Sequence, residues 1–412
     1  MDASNGKAMP HRDRSVNRCI KLPRAVGAFR VKGRWLWVCL FFLSSGASAQ
    51  LELTFSGYAV DFPAYQRSED LVARFFGVGR DQFVNVSRLR LRPALSLWRD
   101  AQLSLEYEIS ALYHSTPVLF QVQSEENSRQ IADWTWNPID GKHWTVLHYV
   151  DRLHFKQGFG FGDLVIGRQR IAWGTGRVWN PTDLFNPLNP ASFAKIEKDG
   201  VDAALVKFHL GSFTDVSLVF NPQRGGKTSN AGCRFRTNVR EFDLSVVGGR
   251  FDKRVIVGGD FAGNLFDAGV RGEGILSAIP DRFDSNFVKL ILGIDYQFTS
   301  RLYGLVEYHF NGEGATDKSR YDLLRLAKGE IINLGRNYLA VQTSYLIHPL
   351  VNILASWARN LDDRSQYLAL VVSFSATDEI SVAFGGQLFL GNDFAEYWYY
   401  PDALYVKSDI FF

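Results

Sequence analysis

The stretch Leu103-Ser-Leu-Glu-Tyr-Glu-Ile-Ser-Ala-Leu-Tyr113 alternates apolar and polar side chains along most of its length. Because successive side chains of a β-strand point to opposite faces, this period of two predicts a strand with one apolar and one polar face. The same pattern returns in residues 288–298 and 380–390. Each stretch matches the ~9–11 residues with which a tilted strand crosses a bilayer. The chain is therefore predicted to be all-β.

The connections between these stretches alternate in length. Tight turns are predicted at Arg99-Asp100, Gly211-Ser212, Ser300-Arg301, His348-Leu350 and Thr377-Asp378, and long polar loops at 61–83, 115–144, 173–198, 312–334 and 391–401. Soluble β-sandwiches also alternate, but short turns on one side and long loops on the other are typical of a closed antiparallel transmembrane β-barrel. No apolar run after Ala49 approaches the ~18 residues expected of a helical span.

The number of strands is less well determined by the pattern. Seventeen strand cores are predicted between residues 51 and 412, with none in 222–239. Bacterial single-chain barrels have an even number, so we expect about 16 strands, with 18 as the next possibility. The glycine-rich stretch 248–274 is the expected place of the miscount. A barrel of this size leaves an aqueous lumen.

The N-terminus has the composition of an export signal. A basic segment over residues 12–34 precedes the apolar run Trp35–Leu43 and the small residues Ala47-Ser48-Ala49. This order is that of a secretory signal peptide, and the apolar run is too short to span a bilayer. We expect residues 1–49 to be the signal peptide and residues 50–412 to be a barrel with long external loops.

Cleavage after Ala49 would change the charge of the chain. It removes nine of 46 Lys/Arg and two of 43 Asp/Glu, which leaves 37 basic and 41 acidic residues, a net charge of −4. The basic character thus belongs to the leader, which argues against nucleic acid as a partner. Cys233 is then the one remaining cysteine, so no intramolecular disulfide is expected.

The C-terminus is a final alternating strand. Leu404, Val406, Ile410 and Phe412 share one face, interrupted by Ser408. This end resembles the assembly signal of bacterial outer-membrane barrels, in which the last residue is typically Phe. The resemblance implies a Gram-negative outer-membrane location, insertion by the barrel-assembly machinery, and contact of this face with lipid.

Alternation also predicts which side chains face the lumen. The pore-lining candidates lie opposite apolar residues on their strands and are Arg88, Arg90, Arg92, Glu106, Glu108, Arg152, Arg168 and Arg170. A two-residue turn at Arg99-Asp100 would place Glu108 beside Arg92. The charges either flank the pore and select among small polar or ionic solutes, or simply pair with one another. The sequence leaves both readings open.

A second candidate region is the segment Gly167-Arg-Gln-Arg-Ile-Ala-Trp-Gly-Thr-Gly-Arg-Val-Trp-Asn-Pro-Thr-Asp-Leu-Phe-Asn-Pro-Leu-Asn-Pro190. Its three Asn-Pro pairs exclude regular strand or helix and predict a stiff loop. The loop could fold inward as a constriction with Arg177 and Asp183 exposed to solute, or remain an ordered external loop. The segment, with Gly200-Val-Asp-Ala, resembles a loop of uncharacterised outer-membrane porin-like proteins, a similarity of about thirty residues.

Motifs of enzymes and metal sites are weak in this sequence. Gly174-Thr-Gly176 is not a dinucleotide fingerprint, and the histidines lack metal-ligand spacing. His148 and His154 have no nucleophile motif near them. We predict no cofactor, no metal and no enzymatic activity.

The chain is therefore expected to be a porin-like channel, monomeric or a homotrimer, for passive diffusion of small polar solutes. The alternative is a barrel sleeve that binds or assembles with a larger outer-membrane complex conducting electrons or polymer.

Overall fold

A computed structural model describes residues 51–116, 129–185, 197–225, 227–280, 282–327 and 331–412. The predicted leader lies outside these residues. Nineteen strands form one sheet within the described part: β1 Glu52–Arg67, β2 Asp81–Trp98, β3 Ala101–His114, β4 Thr135–Asp140, β5 Trp144–Phe159, β6 Gly162–Gln169, β7 Val201–His209, β8 Asp215–Asn221, β9 Asn230–Val239, β10 Phe242–Phe251, β11 Arg254–Leu265, β12 Ala268–Ala278, β13 Phe287–Gln297, β14 Leu302–Asn311, β15 Asn337–His348, β16 Val351–Asn360, β17 Gln366–Ser375, β18 Ile380–Leu390 and β19 Asp402–Phe411.

The sheet closes on itself because β1 pairs with both β2 and β19, and every pairing between named strands is antiparallel. β4 pairs with residues 145–149 of β5, beyond the part of β5 that pairs with β6, so it is an extra strand at the rim. Eighteen strands form the closed barrel, which confirms the predicted fold and selects the larger of the two counts.

The strand absent from the sequence prediction is β9, and the expected place of the miscount was wrong. Residues 248–274 form regular parts of β10, β11 and β12. β9 escaped prediction because its centre, Ala231-Gly-Cys-Arg-Phe-Arg236, carries one large apolar side chain, Phe235. Its pairing with β8 and β10 is provided by the backbone.

The two faces of the barrel follow the predicted alternation. On β2 the side chain of Leu89 is exposed on the outer face, whereas Arg88 and Arg90 on either side are buried inside. Large exposed apolar side chains continue around the outer surface, for example Leu276, Leu292 and Leu370. No helix among the described residues is long and apolar enough to cross a membrane.

Short turns connect the strands at one end of the barrel and longer loops connect most of them at the other, which we call the outer end. The outer loops carry helix α1 at Asp70–Phe76 and helix α2 at Leu323–Ala327. The described parts of these loops also contain 3-10 turns at Phe283–Ser285, Lys318–Arg320 and Glu396–Tyr399.

The chain end lies at the closing seam. The Phe412 backbone N–H donates to the Gly57 carbonyl over 3.1 Å, and the Gly57 N–H donates to the Phe412 carbonyl over 2.7 Å. A Cβ at Gly57 would lie 2.7 Å from the Phe412 ring, so glycine leaves the space that this ring occupies. The Phe412 ring also stacks on Phe55 with centroids 6.1 Å apart.

The outer face gives a test of the membrane-spanning orientation. Leu89→Arg should destabilise the folded state in lipid by roughly 2–4 kcal/mol if Leu89 lies near the bilayer midplane. The matched substitution Leu350→Arg, in the short turn between β15 and β16, should cost about 0–1 kcal/mol because the penalty falls near the interface. Reversible unfolding from lipid vesicles measures both. Equal costs would contradict the orientation.

Candidate functional site

We call the segment between β6 and β7, residues 170–200, the inner loop, and its described residues lie inside the barrel. The structure describes residues 170–185 and 197–200 of it. Two carboxylates of the barrel wall, Glu273 on β12 and Glu307 on β14, contact its backbone. Both lie on the face opposite exposed apolar neighbours such as Leu276 and Val306. The inner loop therefore lies against the interior wall.

Glu307 is fully buried and accepts three successive backbone N–H groups of the inner loop. Its Oε2 accepts from Arg177 over 2.9 Å, and its Oε1 accepts from Val178 over 3.1 Å and Trp179 over 2.7 Å. Successive N–H groups that converge in this way form an anion-binding concavity. Here the anion is part of the barrel, so the interaction fixes the position of the loop.

Glu273 holds the loop at two separate points. Its Oε1 accepts from the N–H groups of Thr175 and Gly176. Its Oε2 accepts from the Thr182 N–H over 3.1 Å and the Thr182 hydroxyl over 2.7 Å. The carboxylate thus joins the residues on either side of the Asn180-Pro181 pair.

Aromatic packing supports these hydrogen bonds. Trp173 and Phe185 meet edge to face at 5.1 Å and pack with Phe251 of β10 in a buried apolar cluster. Further along, Trp179 stacks on His309 at 5.3 Å and lies near Tyr338. The inner loop therefore extends along the wall from β10 to β15.

The predicted arginine row lies in an ion-pair network on the opposite part of the interior. Arg90 is the centre, with carboxylate oxygens of Glu106 at 2.9 Å, Glu108 at 3.1 Å and Glu197 at 3.5 Å, and with Asp151 also paired. Arg152 pairs with Glu106 at 2.8 Å and with Glu197 at 2.9 Å. Glu197 belongs to the inner loop, so the network anchors the returning end of that loop.

This network changes the interpretation of the predicted pore-lining residues. Arg88, Arg90 and Glu108 face inward but are buried, and Arg92, Glu106 and Arg152 are only partly accessible. Glu108 lies opposite Arg90, not Arg92 as predicted, because the pairing register shifts between Ser96 and Trp98. Charge repulsion along the arginine row is relieved by carboxylates from β3, β5 and the inner loop.

Arg168 and Arg170 lie elsewhere. Arg168 lies on the same face of β6 as the exposed Ile166, and the segment before β4 covers it. Its guanidinium donates to the Val150 carbonyl and pairs with Asp202 at 2.9 Å. The prediction that Arg168 lines the lumen is therefore wrong, because the outer segment 129–134 buries a position that alternation alone left open. Arg170 is exposed just beyond the end of β6.

The two constriction candidates also differ from each other. Arg177 is exposed on the inner loop, as expected. Asp183 is buried and paired with Lys198 of the same loop, which corrects the expectation that it is exposed to solute.

Sequence reasoning missed several residues that position the loop. Asp151 was overlooked because β5 is irregular where its register shifts opposite Glu106 and Tyr107, so Asp151 and Arg152 both join the network. Glu273 lies between two glycines and gave no alternation signal. Its position on the polar face of β12 was the available clue.

The two histidines considered as bases lie on opposite faces of β5. His148 lies on the outer face, opposite Ile109, with its Nδ1 beside the Tyr107 hydroxyl and its ring stacked on Trp136 at 5.3 Å. His154 is on the inner face of β5, opposite Ser104.

Three carboxylates in the network have the spacing of a metal site. Ligand oxygens of Glu106, Asp151 and Glu197 lie within 4.8 Å of one another. The same carboxylates pair with Arg90 and Arg152, whose positive charges oppose cation binding. The arrangement fits an ion-pair network better than a metal centre.

A second buried group joins the outer loops. Glu396, in the loop before β19, accepts from the Leu334 N–H over 3.0 Å and the Asn360 amide over 2.7 Å, and it also bonds to the Tyr338 hydroxyl. Its own N–H donates to Asp363 over 2.7 Å. Residues from the loops after β14, β16 and β18 meet at this point.

Comparison with known proteins supports the fold alone. No family model and no curated protein matches the sequence. Among solved structures, OccAB1 of Acinetobacter baumannii has 11% identity and a TM-score of 0.56, with 89% of this chain and 98% of that chain covered. OccK8 (OprE) of Pseudomonas aeruginosa has 9% identity and a TM-score of 0.55, covering 88% and 98%. The chain has the fold of bacterial outer-membrane porins.

The ion-pair network predicts a strong effect of removing its centre. Arg90→Leu should destabilise the protein by about 3–5 kcal/mol because Glu108 and Asp151 would stay buried without their cation. Arg99→Leu, at an exposed turn, is the matched control and should change stability by less than about 0.5 kcal/mol. Denaturant unfolding in lipid vesicles measures both variants. A stable Arg90→Leu protein would show that the carboxylates find other partners.

The Glu396 junction predicts a pH dependence of the outer loops. Burial, with a smaller effect from Asp363, raises the pKa of Glu396 to about 7, although hydrogen bonds from Tyr338 and Leu334 oppose the shift. The folded junction holds a proton that the open form releases, so its stability is highest at low pH and declines as pH rises to about 7.

Hydrogen exchange measures this stability directly. After correction for intrinsic exchange rates, protection of residues 396–400 should decrease between pH 5 and pH 7 in the native protein. Glu396→Gln should give a flat profile over that range, whereas Glu69→Gln in an exposed part of another outer loop should keep the native profile. A flat native profile would contradict the raised pKa.

Proposed function

We propose that this protein is a porin-like channel of the Gram-negative outer membrane, through which small polar or ionic solutes diffuse passively. The observation that supports this function is the inner loop, held against the interior wall of an 18-stranded barrel by Glu273, Glu307 and the Arg90 network. Barrels of 16–18 strands enclose an aqueous channel. A fixed loop narrows such a channel without sealing it.

The charges of the interior favour polar solutes. Besides the Arg90 network, ion pairs lie on the inner wall, such as Arg271 with Asp295 and Arg234 with Asp260. Exposed Arg177 is the residue of the inner loop that we propose meets the solute, and its charge should favour anions. Phe412, which closes the seam, is proposed as the signal for the barrel-assembly machinery. A homotrimer in outer-membrane lipid is compatible with the largely apolar outer face.

The alternative, a sleeve around an electron-carrying or polymeric partner, requires a wide free lumen. The inner loop occupies part of that space along β10–β15. The geometry thus favours a channel for small solutes over a sleeve, and nothing in the residues around His148 and His154 favours an enzyme.

Single-channel recording in a planar bilayer tests the proposal. The native protein should conduct ions. Glu307→Leu should increase both the conductance and the current noise, because three backbone N–H groups of the inner loop lose their acceptor. Glu69→Leu, in an exposed outer loop, is the control and should conduct as the native protein does.

Two results would count against the proposal. A folded native protein that never conducts would exclude the channel function and favour the sleeve. Unchanged conductance in Glu307→Leu would mean that the inner loop does not limit the current.

A further inference from the structure

A partly enclosed cavity lies where the inner loop meets the outer loops. Its volume is about 80 Å³. The floor is formed by inward-facing residues of β15 and β16, namely Ala340, Ser356 and Ala358. These side chains are small, so they leave a depression in the wall between the larger residues around them. Ser356 is only half-buried, which leaves the cavity accessible.

Aromatic side chains form the sides of the cavity. Trp179 comes from the inner loop, Tyr367 from β17, and Tyr397 and Tyr400 from the loop before β19. The tyrosine rings contact one another, with centroids 6.4 Å apart between Tyr367 and Tyr397 and 6.2 Å between Tyr397 and Tyr400. Aromatic faces carry partial negative charge and attract the slightly positive C–H groups of a ligand.

Polar side chains complete the lining. Gln342 and Asn333 contribute amides, of which Gln342 is half-buried and Asn333 is 6% exposed. Among the described lining residues there is no Lys or Arg, and the Glu396 carboxylate is already bonded to Tyr338, Asn360 and Leu334. The site therefore fits a neutral ligand.

We propose that this cavity is a binding subsite for neutral polyhydroxylated solutes, which insert one diol edge with a hydroxyl bonded to the Gln342 or Asn333 amide and carbon atoms against Trp179 and Tyr367. A cavity of about 80 Å³ is about half the size of the ~150 Å³ cavity that holds a benzene ring, so it admits such an edge and not a whole sugar ring. The inference rests on the proposed channel function, because the solute would reach the cavity through the channel, past the inner loop.

Saturation-transfer NMR on the full-length protein in lipid nanodiscs tests the subsite. The probes are glycerol and methyl α-glucopyranoside, and propionate is the charged comparison. Both neutral probes should receive saturation from the protein, and propionate should receive much less. Ala358→Leu should fill the cavity and weaken binding of the neutral probes roughly tenfold. Ala355→Leu, on the exposed outer face of the same strand, should leave binding unchanged.

A second variant keeps the test valid if Ala358→Leu does not fold. Asn333→Leu removes one of the two lining amides from a loop outside the barrel strands, so the barrel should form. It should weaken binding roughly fivefold, the worth of one neutral hydrogen bond.

Three outcomes would overturn the proposal: no saturation transfer to either neutral probe in the native protein, undiminished transfer in a folded Ala358→Leu or Asn333→Leu variant, or equal transfer to propionate. The first outcome in a protein that conducts ions would indicate a cavity filled by water and leave the channel function intact. Binding in a protein that never conducts would instead exclude the channel function alone.

Discussion

The structure depends first on the pairing of each of the 18 barrel strands with two neighbours. In lipid, an unpaired backbone N–H or C=O has no water to bond, so a membrane-spanning sheet must close. Closure occurs at β1, which is hydrogen-bonded to β2 on one side and β19 on the other. The terminal Phe412 lies at this seam, over a glycine that leaves room for its ring. The requirement also explains β9, which has few apolar side chains but joins β8 to β10.

Closure places the polar faces of the strands inside the barrel, where charged side chains are far from bulk water unless the lumen is wide. The chain itself supplies the hydrogen-bond and ion-pair partners of these side chains. Carboxylates on β12 and β14 accept the backbone of the inner loop, and Glu197 returns from that loop to Arg90 and Arg152. Because a buried charge is tolerated when it is paired and hydrogen-bonded, the loop and the wall stabilise each other. Residues expected to meet solute instead hold the loop.

The outer end follows the same principle, with uncharged donors around one carboxylate. Tyr338, Asn360 and Leu334 converge on Glu396, and burial leaves that carboxylate with a pKa of about 7. The cavity beside it has aromatic sides and the amides of Gln342 and Asn333 in its lining. The interior thus differs around its circumference, with ion pairs near β2–β5 and neutral aromatic surface near β15–β17. Such a division allows one lumen to contact both ionic and neutral groups of a solute.

The sequence by itself determined the all-β class, the inward and outward faces of most strands, and the long loops, because period-two alternation depends only on neighbours along the chain. It also located the stiff loop, since the Asn-Pro pairs exclude regular structure. The irregularity at Asp151, the register that pairs Arg90 with Glu108, and the covering of Arg168 were decided by the tertiary structure. These features depend on which segments meet across tens of residues. A shift of one position in pairing moves a charge to another partner, and no local pattern records that shift.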